Sequence, residues 1–141
     1  MLRGMPLPRP DHDTQPFWDA AQEGRYVVPR CTACGNGHWP PAPMCPHCHA
    51  GAEAIAWVES AGRGTVYSWV VANHPVAEVL VDQVPYVIAL IDVEDGVRVV
   101  GNVVGCDPAA VTAGMAVEVF FEEREEGVRV PNFRVPGSGG R

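Results

Sequence analysis

The stretch CTACGNGHWPPAPMCPHC, residues 31–48, holds four of the chain's five cysteines. Cys31 and Cys34 form one C-x2-C pair, Cys45 and Cys48 form a second, and ten residues separate the pairs. Each pair can make a tight knuckle, and two knuckles complete a tetrahedral four-thiolate zinc shell. Because that shell has no open coordination position, the spacing predicts a structural zinc rather than a catalytic one.

Two other interpretations of the cysteines stay open, namely disulfides and a redox-active C-x-x-C, although the duplicated spacing suits a metal better. Gly35 follows the first pair, where the chain often needs a positive φ, and His49 takes the equivalent place after the second. His38, His47 and His49 are candidate substitute ligands, but four thiolates already fill the shell. We therefore interpret the three histidines as solvated residues of the ribbon.

Composition narrows the class of protein. The chain has 141 residues, 47% of them hydrophobic, which suits one domain or a small module beside a moderate one. Its formal net charge is -7, and its ten basic residues are all arginine, a balance that weighs against nucleic acid and anionic membranes as partners. The proline-containing start and the absence of a long apolar run predict a cytoplasmic protein that does not span a membrane.

The N-terminal part is divided into three predicted segments. Residues 1–12 are expected to be a flexible arm, and 13–24 a short helix that Asp13 or Thr14 can cap. Residues 25–54 form the predicted zinc ribbon. Phe17 and Trp18 give the helix an aromatic face, and Trp39 lies in the proline-rich ribbon loop. These three residues are predicted to dock either on the protein's own ribbon or barrel, or on a partner.

The remainder of the chain has the pattern of a small β-barrel. Residues 55–135 contain runs rich in Val, Ile and aromatic residues, bounded by Gly, Pro or Asp. A helical turn beginning at Asp107 and Pro108 is predicted between the third and fourth main strands. About five strands with that connection indicate a Greek-key barrel of the OB type, with a β-sandwich as the alternative. Residues 136–141 are expected to be a disordered tail. The fold class is thus mainly β, with an N-terminal helix and a four-cysteine ribbon.

No sequence motif for catalysis is found. There is no G-x-S-x-G, P-loop or dinucleotide fingerprint. The acidic run EEREE at 122–126 is interpreted as a solvated hairpin end, and Cys106 as a small buried apolar residue. The loop that begins at His74 and joins the first two barrel strands is interpreted as a plain connection. We predict no catalytic residues and no enzyme activity for the chain alone.

Several blocks together resemble one family. They are FWDAAQEGR, YVVPRC, CTACG with CPHC, GRGTVYSWVV, PYVIALIDVEDGVRVVGNVVG and GMAVEVFFEER with PNFR. Over residues 14–134, their order and spacing resemble the DUF35 family. Members of that family pair a rubredoxin-like zinc ribbon with an OB-fold. The resemblance implies an accessory subunit of a thiolase-like enzyme, of the lipid-transfer-protein type in bacteria, where the complex can act as an aldolase on a steroid acyl-CoA.

This resemblance implies that the partner supplies the catalytic residues, while the chain stabilises it and helps to form the acyl-CoA channel. The substrate of the complex would be a CoA thioester, so Arg25 and Arg30 are candidate contacts for its phosphates, chosen by position alone. Because thiolases are usually dimers, the expected assembly is a hetero-oligomer of two plus two subunits.

The alternative function is a single-stranded nucleic-acid-binding module, since zinc ribbons and OB-folds both serve that role elsewhere. Trp57, Tyr67 and Trp69 could stack on bases, and Tyr67 and Trp69 alternate onto the same strand face. This function also requires a basic groove, yet Arg63 and Arg98 are isolated among seventeen acidic residues.

Overall fold

The structure is a computed structural model that describes residues 6–137. A helix and a two-stranded sheet precede a closed five-stranded barrel. The elements are α1 (Gln15–Gln22), β1 (Tyr26–Cys31), β2 (Ile55–Ser60), β3 (Arg63–Ala72), β4 (Tyr86–Val93), β5 (Val97–Val103), β6 (Ala116–Glu123) and β7 (Arg129–Arg134). Short 3₁₀ turns occupy Ala52–Ala54, Glu78–Leu80, Pro108–Ala110 and Glu125–Gly127. None of the helices within residues 6–137 is long and apolar enough to cross a membrane.

The barrel confirms the predicted OB-fold. Its strand order is β3-β4-β5-β7-β6, and β6 closes the barrel by pairing with β3. The predicted helical turn lies between β5 and β6, where the Asp107 carboxylate accepts a hydrogen bond of 2.9 Å from the Ala109 N–H. Inward-facing valines fill the interior together with Ile91 and Phe133. The alternation of buried and outward positions along β4 shows which residues face the core.

One strand belongs to a different sheet from the one expected. Residues 55–60 were assigned to the barrel, but β2 pairs antiparallel with β1 along its whole length, from Ile55 opposite Cys31 to Ser60 opposite Tyr26. The two-stranded sheet therefore extends beyond residue 54, and the barrel begins with β3. A run of Val, Ile and aromatic residues identifies a strand but not its partner, which is why the sequence pattern could not separate the two sheets.

The first helix is shorter than the predicted 13–24. It begins after Thr14, whose side chain makes no capping bond to the helix, and instead Asp11 and Thr14 exchange hydrogen bonds through their side chains. Pro16 lies in the first turn, and Gly24, two residues after the last helical residue Gln22, has a φ of 75°. Residues 1–5 of the predicted arm and 138–141 of the predicted tail lie outside the described part.

Candidate metal centre and docking surfaces

The two cysteine pairs form the same turn twice. The Gly35 N–H donates to the Cys31 carbonyl at 2.8 Å, and the His49 N–H donates to the Cys45 carbonyl at 2.9 Å. Gly35 has a φ of 81° and His49 a φ of 64°, as predicted for both positions. Glycine tolerates that conformation freely, and histidine is among the other residues that enter it. Each turn thereby brings its two thiols to one side of the chain.

The four thiols meet at one point. The Sγ atoms of Cys31, Cys34, Cys45 and Cys48 all lie within 4.8 Å of one another, and two of the S···S distances are 3.6 and 3.7 Å. Those distances are too long for a disulfide, whose S–S bond is about 2.05 Å. They match the edge of a tetrahedron with Zn–S bonds of about 2.3 Å, which is about 3.8 Å. The donor set therefore fits a closed zinc shell.

Backbone N–H groups prepare one of these thiols to bind a cation. Hydrogen bonds from the Cys48 N–H, and then from the His47 N–H, lower the pKa of Cys45 to about 6 against the opposing effect of burial. The His47 N–H lies 3.3 Å from the Cys45 sulfur. Because the thiolate is the form that ligates a metal, this arrangement favours metal binding at neutral pH.

The histidines of the ribbon lie in different environments. His47 and His49 are exposed, as interpreted, whereas His38 is buried with a side chain that was expected to be solvated. Neither ring nitrogen of His38 has a hydrogen-bond partner among residues 6–137. Burial, followed by the charge of His47, lowers the pKa of His38. His38 is thus a neutral packing residue and lies outside the metal-ligating group formed by the described residues.

The aromatic residues predicted for docking contact each other. The Phe17 ring is 6% exposed and packs edge-on against Trp18 and Trp39, with ring centroids 5.0 Å apart in both pairs. It also packs edge-on against Tyr26, which in turn contacts Phe133 of the barrel. Phe17 therefore binds the helix to its own ribbon and barrel, one of the two options left open. Trp18 and Trp39 are only partly buried and keep surface available to a partner.

The two arginines predicted to contact CoA both have partners inside the chain. Arg25 forms ion pairs with Glu23 at 2.8 Å and with Glu59 at 3.2 Å, at an exposed position. Arg30 donates to the carbonyls of Gly35 and Asp95, which connects the first knuckle to the turn between β4 and β5. Arg30 thus has a structural function that its sequence position did not reveal.

Only part of the acidic run at 122–126 is the solvated hairpin end that the sequence predicts. Glu125 and Glu126 are exposed at the hairpin, but Glu122 is 4% exposed and the Arg124 side chain is 9% exposed. The Glu122 carboxylate accepts from the Asn132 amide at 2.8 Å and lies 3.3 Å from Arg124 Nε. A local run of charged letters cannot show that neighbouring elements cover part of it, so the buried ion pair was missed.

The three aromatic residues predicted for the alternative function do not form a common base-stacking surface. Tyr67 and Trp69 do not share a face, because the β3–β4 register shifts between Val66 and Ser68. Trp69 pairs with buried Ala89 and packs against the core, while the exposed Tyr67 ring is covered by the Arg98 guanidinium at 3.5 Å. Trp57 is also packed against the core.

Sequence reasoning also missed an apolar face outside the barrel. On β4 the positions that alternate with the buried ones include Tyr86, Ile88 and Leu90. Ile88 is 36% exposed, and its cross-strand neighbour Val70 is 60% exposed. The sequence does contain a signal for this face. In YVIAL, residues 86–90, the inward-facing and the outward-facing positions are all apolar, a pattern typical of strands that are covered on both faces.

Models of two domains match this chain. One is described as the ChsH2 rubredoxin-like zinc ribbon domain and matches residues 18–53, and the other as the ChsH2 C-terminal OB-fold domain and matches residues 57–122. A chain of the Ltp2-ChsH2(DUF35) aldolase is similar in structure, with a TM-score of 0.79 and 38% identity over 92% of this chain and 98% of that one.

Curated relatives carry two kinds of name. A DUF35 domain-containing scaffold protein of Methanothermobacter thermautotrophicus is 36% identical over 70% of this chain and 73% of its own length. A probable enoyl-CoA hydratase alpha subunit of Thermomonospora curvata is 39% identical over 92% of this chain. The chain spans only 39% of that subunit's length. The zinc ribbon, the OB-fold barrel and these similarities together show that the chain belongs to the DUF35 family.

Proposed function

We propose that this chain is a non-catalytic subunit that binds and stabilises a thiolase-like enzyme acting on acyl-CoA. The observation that carries the proposal is the similarity to a chain of the Ltp2-ChsH2(DUF35) aldolase. The alignment with this protein covers 98% of that chain. That protein is a DUF35 chain in a complex with a second component, and other relatives are named scaffold proteins. A scaffold that leaves the chemistry to its partner is consistent with both names.

The chemistry of the described residues supports a structural zinc in this subunit. Four thiolates would hold the ion through Cys31, Cys34, Cys45 and Cys48, and the ion would stabilise a ribbon with little core of its own. No coordination position would be left for water or substrate. The ion would therefore supply stability to the ribbon and no catalytic chemistry.

The substrate and assembly follow from the same proposal. The complex would act on a CoA thioester by thiolase or retro-aldolase chemistry, with the side chain of a steroid acyl-CoA as the substrate implied by the family resemblance. Two copies of this chain would flank a dimeric enzyme. The relative named as an enoyl-CoA hydratase subunit supports an acyl-CoA substrate through its name alone.

Arg25 is the better of the two candidate CoA contacts. Its side chain is 46% exposed and sits between two exposed glutamates, whereas Arg30 is bonded to two backbone carbonyls within the fold. If Arg25 contacts a CoA phosphate, Arg25→Ala in the assembled complex weakens acyl-CoA binding severalfold. Arg63→Ala removes another exposed arginine paired to a glutamate and serves as the control. Equal affinities for both variants would exclude Arg25.

The proposed function is tested by affinity purification of the tagged chain from its native cell extract, with mass spectrometry of the proteins that remain after a salt wash. We expect a thiolase-like protein in near-equal amount, and acyl-CoA turnover by the complex but not by the chain alone. The tag without the chain is the control. Elution of the chain alone, or with nucleic acid, would contradict the proposal.

A further inference from the structure

The outer face of β3, β4 and β5 is an apolar surface that no described residue covers. Val70, Ile88 and Val100 are 60%, 36% and 56% exposed, and the β-pairing places Val70 opposite Ile88 and Val100 opposite Leu90. These residues are contiguous across three strands. An exposed aliphatic patch of this kind on a small acidic domain marks a surface that binds another molecule.

The patch continues into a cavity beside the barrel. A shallow groove of about 190 Å³ over Val70 and Leu90 shares Ile88 and Val100 with a larger cavity of about 400 Å³. The larger cavity is also lined by Trp18, Tyr86, Arg124 and Pro131. Tryptophan, tyrosine and arginine are the residue types that most often contribute the central binding energy of protein interfaces. The groove thus combines an aliphatic floor with three such side chains.

Arg124 gives the cavity a polar group beside its aliphatic part. Its side chain is 91% buried, and its charge is balanced by the Glu122 carboxylate, which lies 3.3 Å from Nε without the geometry of a hydrogen bond. The second Glu122 oxygen is bonded to Asn132. A guanidinium carries five N–H donors, more than one carboxylate oxygen can satisfy. A molecule that binds in the cavity can therefore offer Arg124 a further acceptor, a carbonyl or carboxylate oxygen.

We propose that this groove, defined by Val70, Ile88, Val100, Trp18, Tyr86 and Arg124, is where the thiolase-like enzyme docks, an inference that rests on the proposed function. A segment of the enzyme places an apolar side chain on the valines and isoleucine, and presents a carbonyl or carboxylate oxygen to Arg124. The docking surface is then the side of the barrel next to the helix, with Trp18 as its contribution from α1. Phe17 and the ribbon loop around Trp39 are outside it.

Charge favours the enzyme over a second copy of this chain as the occupant. In a twofold interface each copy presents the same surface, so Arg124 would face another groove of identical composition. The lining of the groove contains no carboxylate, and the nearby Glu122 is engaged by Arg124 and Asn132 of its own chain. Self-association would therefore bring no further carboxylate to either guanidinium, whereas a segment of the enzyme can supply one.

The test makes the same substitution at two exposed apolar residues in different parts of the molecule. Val100→Lys places an ammonium group in the groove that Arg124 also lines, and Met44→Lys does the same on the ribbon loop, where Met44 is 44% exposed. We expect Val100→Lys to weaken binding to the enzyme captured by the wild-type chain by at least about a hundredfold, because the groove lining holds no carboxylate and a buried unpaired charge is strongly unfavourable at an interface. Met44→Lys should bind within about twofold of wild type. Thermal unfolding and zinc content verify that both variants fold.

A photo-crosslinking residue supplies a second measurement that does not depend on loss of binding. Placed at position 100 it should crosslink to the thiolase-like enzyme, and placed at position 44 it should not. Wild-type affinity of Val100→Lys, or crosslinking from position 44 alone, would overturn this docking surface while the proposed function stands. A wild-type homodimer that Val100→Lys converts to a monomer would also overturn it. If the wild-type chain captures no thiolase-like enzyme, both proposals fail.

Discussion

Gly101 shows how one residue sets the spacing inside the barrel. A Cβ atom built on Gly101 would lie 2.7 Å from the Phe133 ring, which is itself buried at the centre of the core. Real Cβ atoms do not approach a ring that closely, so β5 and β7 can only adopt their present separation with glycine at this position. The Phe133 ring that requires this space is the barrel's contact with Tyr26 of the ribbon sheet.

We therefore expect Gly101→Ala to lower the free energy of unfolding by about 1–3 kcal/mol through overpacking of the core. Gly51→Ala is the matched control, because its φ of -72° suits alanine and its nearest neighbour is the end of the flexible Glu53 side chain. The control should change stability by less than about 0.5 kcal/mol. Urea denaturation of the three proteins makes the comparison, and equal losses for both substitutions would contradict the packing explanation.

His38 connects stability to pH at the scale of a single side chain. Because the pKa of His38 is lowered in the folded chain, the imidazole takes up a proton at a higher pH in the unfolded chain, near pH 6.5, than in the folded chain. Stability is therefore complete above pH 6.5 and falls as the pH drops toward the folded pKa. In zinc-saturated protein, we expect the free energy of unfolding of the wild type to fall more steeply between about pH 7 and about pH 5.5 than that of His38→Phe, by up to about 1.4 kcal/mol per pH unit. Parallel pH curves would show that His38 does not contribute.

At the scale of elements, the ribbon depends on its knuckles and on hydrogen bonds to the barrel. The 31–48 segment makes few regular strand contacts of its own, since only β1 and β2 are paired within the ribbon sheet. Arg30 connects the first knuckle to the β4–β5 turn through two carbonyls. The geometry of the thiols and the packing of β1 against the barrel are therefore coupled.

Removal of zinc should affect the whole chain through that coupling. A chelator, or Cys45→Ser, is expected to abolish stoichiometric zinc and to lower the midpoint of thermal unfolding markedly, because structural zinc contributes about 10–16 kcal/mol of apparent binding energy in small modules. Cys106→Ser is the control, because Cys106 is a partly buried thiol outside the cluster and should leave one zinc per chain. Elemental analysis and circular dichroism measure both. Full stability of the metal-free protein would contradict a structural zinc.

The sequence predicted the elements well and their partners less well. Cysteine spacing and strand patterns are local, so the knuckles, the barrel and the turn at Asp107 could be predicted from nearby residues. The pairing of β2 with β1, the register shift at Tyr67 and the burial of Glu122 depend on residues far apart in the chain. The docking groove combines α1, Arg124 and the three barrel strands β3, β4 and β5, and was for the same reason not visible beforehand.

On the scale of the whole molecule, a line of aromatic rings joins the three parts of the chain. Phe17 of α1 contacts Tyr26 of the ribbon sheet, and Tyr26 contacts Phe133 of the barrel, with ring centroids 5.8 and 6.1 Å apart. Phe17, Tyr26, Phe133 and the barrel valines belong to one buried cluster. Helix, ribbon and barrel therefore share a core, and we expect them to unfold together.

This shared core makes Phe17→Ala the decisive substitution. Removal of a buried ring with three edge-on contacts should cost about 3–5 kcal/mol and should loosen α1, so that the tryptophan fluorescence, to which Trp18 and Trp39 contribute, changes before the circular dichroism of the barrel. The wild type should show coincident transitions by both probes. Tyr67→Ala removes an exposed aromatic ring that contacts Arg98 and should cost no more than about 1 kcal/mol. If Phe17→Ala instead kept full stability and lost only the partner enzyme, Phe17 would belong to the docking surface rather than to the core.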